Sequence, residues 1–287
     1  MKYFNFITVF FIIFFSACKE KEISFTLPVL ITSEYDTIIQ INTKKMLPNF
    51  ANVYGLNIKD SLDLSKKRVF RADDKAVLNS WNKDTCKNSI ELFVKNISNF
   101  HTPELTYEEL LPSPPPPPTK LDSNYNMDSI FKTYKERYAL FIKERNKIHY
   151  QTLPLYIYNN TNNNIQLLNS IINGDLYFIQ EAKDESGKWQ PIEYLTTRKI
   201  CRTGAENLSL KPKHFIVSTV NKYKGEYKTK LRVKFWTGLS IYYSNEYDGE
   251  INLSQLNKNK LLDSLKQLYN ENSKTYTDKK QLMFLDF

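Results

Sequence analysis

The stretch from Leu153 to Leu253 constrains the fold more than any other part of this chain. Short runs rich in Tyr, Phe, Ile, Val and Leu follow one another there, each bounded by Asn, Asp, Gly or Lys. Leu153–Tyr158, Asp175–Gln180, Trp189–Leu195, His214–Val220, Thr229–Trp236 and Ser240–Tyr243 each read as a strand. β-Branched and aromatic side chains fit a pleated, half-buried surface. Their spacing and the turn residues between them predict a mainly β fold, an antiparallel β-sandwich. Ser89–Asn96 alternates in the same way and adds an earlier strand. Ile157-Tyr-Asn-Asn-Thr161 and Val94-Lys-Asn-Ile-Ser98 both run from an apolar strand into Asn and then a hydroxyl residue. Such residues close strands by bonding their own backbone.

With 41% hydrophobic and 25% charged residues, the 287-residue chain can bury a sizeable core. Seven glycines are few, and neither a G-x-G-x-x-G nor a P-loop pattern occurs, so no nucleotide or other cofactor is implied. A formal charge of +9 favours encounter with anionic surfaces through a nonspecific field, and it equally describes a solvated lysine-rich surface. It gives no ground for specific nucleic-acid binding.

Two elements interrupt or follow the strands. Asn126–Tyr150 has the period of an amphipathic helix, with Met127, Phe131, Tyr134, Tyr138, Phe141, Ile142 and Ile148 on one stripe. Its other face carries Lys132, Lys135, Arg137, Lys143, Arg145 and Lys147, and the expectation is a helix packed on a sheet with that face solvated. Pro114–Pro118, just before it, form an extended rod, a spacer or docking peptide. The prolines and helix together read as an insertion at about 102–150 within one domain of 61–287. A second helix is predicted from a Ser254 cap through Leu256, Leu261, Leu265 and Leu268 to about Glu271. Gln281–Phe287 reads as a last strand.

The amino terminus carries a different signal. Met1-Lys2-Tyr3 is a short basic head, and Phe4–Phe15 is almost unbroken apolar sequence. That run is shorter than the roughly 20 residues a spanning helix needs and fits a secretory signal peptide. Phe15-Ser16-Ala17-Cys18 resembles the lipobox of bacterial lipoproteins, with Phe15 where that motif usually has leucine. The resemblance implies that residues 1–17 are removed and that Cys18 takes the lipid. Residues 18–60 would then lead from the membrane to the folded body. Losing residues 1–17 removes only Lys2 and leaves a charge of +8. The alternative is an ordinary signal cleaved near Ala17. Lys19-Glu-Lys-Glu22 resembles the charged tetrad that directs lipoproteins of Bacteroidota-type bacteria to the outer face of the outer membrane. Asp36-Thr37-Ile38, Asp60-Ser61-Leu62, Asp128-Ser129-Ile130 and Asp263-Ser264-Leu265 resemble the O-glycosylation sequon of those bacteria, which would modify Thr37, Ser61, Ser129 and Ser264.

Gly187-Lys-Trp-Gln-Pro-Ile192, Cys201-Arg202, Leu210-Lys-Pro-Lys-His-Phe-Ile-Val217 and Gly225-Glu-Tyr-Lys-Thr-Lys-Leu-Arg-Val233 follow an order that resembles bacterial immunoglobulin-like domains of secreted and lipid-anchored proteins. The residues themselves read the same way: Trp189 would plug a sandwich core, Pro212 would begin a strand where no donor is required, and Gly225 would turn between two strands. Besides Cys18, Cys86 and Cys201 remain, either a disulfide in an oxidising compartment or two free thiols.

No H-E-x-x-H, G-x-S-x-G, S-x-x-K or C-x-x-C is present, and His101, His149 and His214 lie on separate elements, so neither catalytic nor metal residues stand out. Asp184, Glu181 and Glu185 crowd the Gly187 turn, where exposed acids are expected. The expectation is a non-catalytic envelope lipoprotein that binds a glycan or protein partner. Two alternatives stay open: a lipid-anchored polysaccharide or peptidoglycan hydrolase, whose carboxylates would converge only in the fold, and a polyanion binder acting through the basic helix.

Overall fold

The computed structural model describes residues 27, 30–31, 37–39, 56–57, 62–63, 90–97, 100–103, 127–145, 149–170, 176–195 and 205–286. The chain is mainly β with antiparallel sheets. Strand β7 (His149–Asn159) is the spine of the larger sheet and is buried along almost its whole length. Leu153, Leu155 and Ile157 enter one apolar cluster and Tyr156 and Tyr158 another, as alternation requires of a strand covered on both faces. β12 (His214–Asn221) pairs antiparallel with it from Phe215↔Tyr158 to Asn221↔Thr152. β5 (Ile90–Val94) and β6 (His101–Pro103) are also antiparallel to β7, while β2 (Thr37–Ile38) is parallel to it. β3 (Leu56–Asn57) pairs with β12, so the 18–60 stretch lends two strands to this sheet. β1 (Leu30–Ile31) and β4 (Leu62–Asp63) form a separate parallel pair.

The second sheet is built on β13 (Tyr227–Trp236), flanked by β9 (Tyr177–Lys183), β14 (Ile241–Tyr243) and β15 (Tyr247–Ile251). β10 (Trp189–Pro191) pairs outside β9, and every pairing in this sheet is antiparallel. One core holds Leu92 and Val94 with Leu155 and Ile157 from the first sheet, and Phe178, Val233 and Phe235 from the second. Burying each such side chain contributes about 1.5–3 kcal/mol. Asn245, between β14 and β15, ties the sheets together. Its Oδ1 accepts from the Val94 amide at 2.7 Å and its Nδ2 donates to the Val94 carbonyl at 3.1 Å, a side chain acting as a strand partner.

β8 (Ile165–Ser170) and β11 (Ala205–Leu210) form a separate two-stranded antiparallel ladder, β8 following β7 and β11 preceding β12 after a break in each leg. Asn159, fully buried, holds that break. Its amide donates to the carbonyls of Asn163, Leu210 and Lys211 at 2.7, 2.9 and 3.1 Å. Its Oδ1 accepts from the Thr161 amide at 2.9 Å, the strand-closing contact expected of Asn before a hydroxyl residue.

Several expectations are corrected. Helix α1 spans Met127–Arg145 and does not reach Tyr150, because His149 and Tyr150 already belong to β7 and pair with β6. Phe131, on its expected buried stripe, is 46% exposed and Leu140 is 60% exposed, so neither is covered by a sheet. After Asn252 the chain makes a 3-10 turn (Leu253–Leu256), where the Gln255 side chain accepts from the Asn252 amide, and α2 (Asn259–Leu268) starts only beyond it. The carboxyl end is helical, not a strand. α3 (Lys274–Phe284) is capped by Ser273, whose Oγ accepts from the Tyr276 amide at 3.1 Å. Tyr276, Met283 and Phe284 pack on Leu265 of α2, which outweighs β pairing for this short apolar run. Leu285, with φ 53, ends the helix in the left-handed region and drops onto Tyr177, Ile179 and Leu195. Pro212 lies in the turn before β12 rather than in the strand.

Candidate functional site

The connection from β12 to β13 gathers most of the chemistry that the fold brings together. Tyr223 is buried there between Lys222 and Lys224. Gly225 follows because the chain passes against β15: a Cβ at this position would sit 2.1 Å from the Ile251 carbonyl carbon. That close approach demands glycine, whose φ here is not in the left-handed region.

Tyr223 points into a buried polar network centred on Glu193, which follows β10 and is 1% exposed. Tyr223 Oη donates to Glu193 Oε1 at 2.7 Å. Gln180 donates to the same oxygen through Nε2 at 2.7 Å and to Oε2 through its backbone amide at 2.9 Å. Asn221 Nδ2 adds a fourth contact at 3.2 Å. Tyr247 Oη closes the network by donating to Gln180 Oε1 at 2.6 Å. Burial pushes the Glu193 carboxyl above its ordinary value of 4.5, and the four donors pull back only part of that rise. Burial likewise raises Tyr223, reinforced by the nearby carboxylate, and raises Tyr247.

Outside this network lies a cleft of about 680 Å³. Its floor is Leu153, Leu231, Tyr223 and Tyr247, all nearly fully buried. Lys222, Lys224, Lys228 and Lys230 stand around it, with Asp248 and Glu250 on the β15 side. Lys230 Nζ pairs with Asp248 at 2.7 Å and Lys228 Nζ with Glu250 at 3.9 Å. These exposed pairs contribute about 0–1 kcal/mol each. The arrangement can hold an anion over an apolar floor.

A smaller cleft of about 360 Å³ lies between Glu193, the 3-10 turn, Lys258 and Phe284. Burial lowers the Lys258 ammonium below its ordinary range. Its Nζ donates to Gln190 Oε1 at 3.1 Å and sits 5.2 Å from the centre of the Phe284 ring, contacts that dock the helical end on β10.

The outer face of the second sheet carries a charged stack. Trp189 is half-buried on it and does not plug the core: the Arg232 guanidinium lies 4.2 Å from the Trp189 ring and 3.9 Å from the Tyr243 ring. Glu181, expected to be exposed, is 4% exposed because Arg232 Nη2 pairs with it at 2.7 Å and Lys234 Nζ lies 3.6 Å away. Of the expected acidic cluster, Glu185 is exposed in the turn as expected, and Asp184 shapes that turn. Asp184 accepts first from the Ser186 hydroxyl and then from the amides of Lys188 and Ser186, and these bonds hold its carboxyl below the ordinary range.

Cys18, Cys86, Cys201 and Ser61 lie outside the described residues, as does the proline run. Thr37 is in β2, its Oγ1 accepting from Gln151 Nε2 at 3.0 Å. Ser129 lies in α1, and Ser264 is exposed on α2. His149 is buried in β7, His214 opens β12 and His101 opens β6; no group of three metal-binding side chains forms among the described residues. Among them no helix is long and apolar enough to cross a membrane. Comparison with known proteins yields no matching family model, no matching curated protein and no matching solved structure.

Proposed function

We propose that this chain is a cell-envelope lipoprotein, held to the outer membrane through a lipid on Cys18, whose β body is an immunoglobulin-like sandwich serving as a binding module. The Phe15-Ser-Ala-Cys18 resemblance supports the anchor, and one core shared between two antiparallel sheets supports the sandwich. The observation that carries the binding role is the lysine-ringed cleft over Tyr223 and Tyr247. Its partner is an envelope glycan or protein. A hydrolase would need two carboxylates facing one cleft. Glu193 instead has its oxygens taken by two amide side chains, a backbone amide and a phenol.

In-cell photo-crosslinking tests the binding role. A benzoylphenylalanine at Lys228, exposed on the rim of the cleft, is expected to give a discrete adduct, while the same probe at Lys132 on α1 gives none. Adducts at both positions, or at neither, contradict it.

A further inference from the structure

The lining of the cleft narrows what it takes, on the reading that the cleft is the binding site. Its volume of about 680 Å³ falls within the roughly 300–1,000 Å³ of small-molecule sites. The floor shows hydrocarbon, because both tyrosine hydroxyls are spent inward: Tyr223 on Glu193 and Tyr247 on Gln180. The four lysines are not equivalent. Lys228 and Lys230 face the acids of β15, whereas the ammonium groups of Lys222 and Lys224 have no acidic partner among the described residues. They stand on either side of Tyr223 in the chain, and both line the cleft. Asp248 and Glu250 repel a second negative charge at the far edge.

We propose that this cleft binds a small organic anion: one carboxylate or phosphate, held by Lys222 and Lys224, on a body whose apolar face rests over Tyr223, Tyr247, Leu153 and Leu231. The positive charge draws the ligand in, and the floor distinguishes it from a bare ion.

Calorimetric titration of the full detergent-purified protein tests this, with glucuronate and phenyl phosphate as the two acid types. Inorganic phosphate serves as an acid without a body and glucose as a body without an acid. At least one organic anion is expected to bind one to one, about tenfold tighter than either control. Lys222→Gln with Lys224→Gln should weaken it by about tenfold or more, while Lys132→Gln with Lys135→Gln on α1 should change it less than about twofold. Equal loss in both double variants overturns the proposal in favour of a general field. Inorganic phosphate binding as tightly, or no organic anion binding up to about 10 mM, overturns it as well. If titration fails while the Lys228 crosslink persists, the ligand class falls and the binding module stands.

Discussion

At Glu193 four donors converge on a carboxylate that water does not reach. Glu193→Ala would leave the backbone N–H of Gln180 and the Tyr223 hydroxyl buried and unpaired, while Gln180 Nε2 keeps the Asn221 carbonyl, at a cost of about 3–5 kcal/mol by urea denaturation. Glu193→Gln turns an amide donor toward the Gln180 N–H and is expected to cost about 1–3 kcal/mol. The pH dependence separates the charge from the shape. The folded carboxyl titrates above 4.5, so between that value and its raised one the folded protein holds more protons than the unfolded chain. Stability from this group is therefore full below the ordinary glutamate range and is lost as pH rises through the raised value. Glu193→Gln should flatten that decline; a pH–stability curve unchanged by the substitution counts against the raised carboxyl.

The glycines of the turns are the sharpest test at the scale of elements. Gly225→Ala forces a Cβ into the backbone of β15 and is expected to cost about 3 kcal/mol or more. Gly187→Ala meets nothing within 4 Å and pays only for its φ of +78, about 1 kcal/mol. Similar melting temperatures for the two variants would show that β15 does not crowd this connection. Gly225 was legible as a turn, but the crowding by Ile251, 26 positions on, was not. β7, β12 and β13 were legible because their long apolar alternation has a single use in a sheet. β8 and β11 were not: Ile165-Gln-Leu-Leu-Asn-Ser170 is short and polar, and its partner lies 35 positions away. Gln281–Phe287 failed for the opposite reason, since a short apolar run suits a packed helix as well as a strand. The lysines of the cleft lie in plain view in Asn221-Lys-Tyr-Lys-Gly-Glu-Tyr-Lys-Thr-Lys230, yet only the fold sets their ammonium groups around buried tyrosines. Glu193 carries no local mark at all, since burial is a property of the closed sheets.

At the scale of the whole molecule, two antiparallel sheets share one core, Asn245 laces their edges, and the helical end closes the outer face of the second. The Lys234 ammonium locks that end by donating to the Phe284 carbonyl at 3.1 Å and reaching Asp286. Such a body presents its cleft from a fixed surface, and a lipid at the eighteenth residue would keep it at the membrane, several acyl chains holding far more firmly than one. This account stands or falls with the state of the amino terminus in cells. Intact-mass analysis of the protein extracted from membranes of cells that produce it measures that state directly. The account predicts a chain beginning at Cys18 and carrying a diacylglyceryl mass, lost in Cys18→Ala. A chain that retains residues 1–17, or one that begins near residue 18 with no lipid mass, would contradict it.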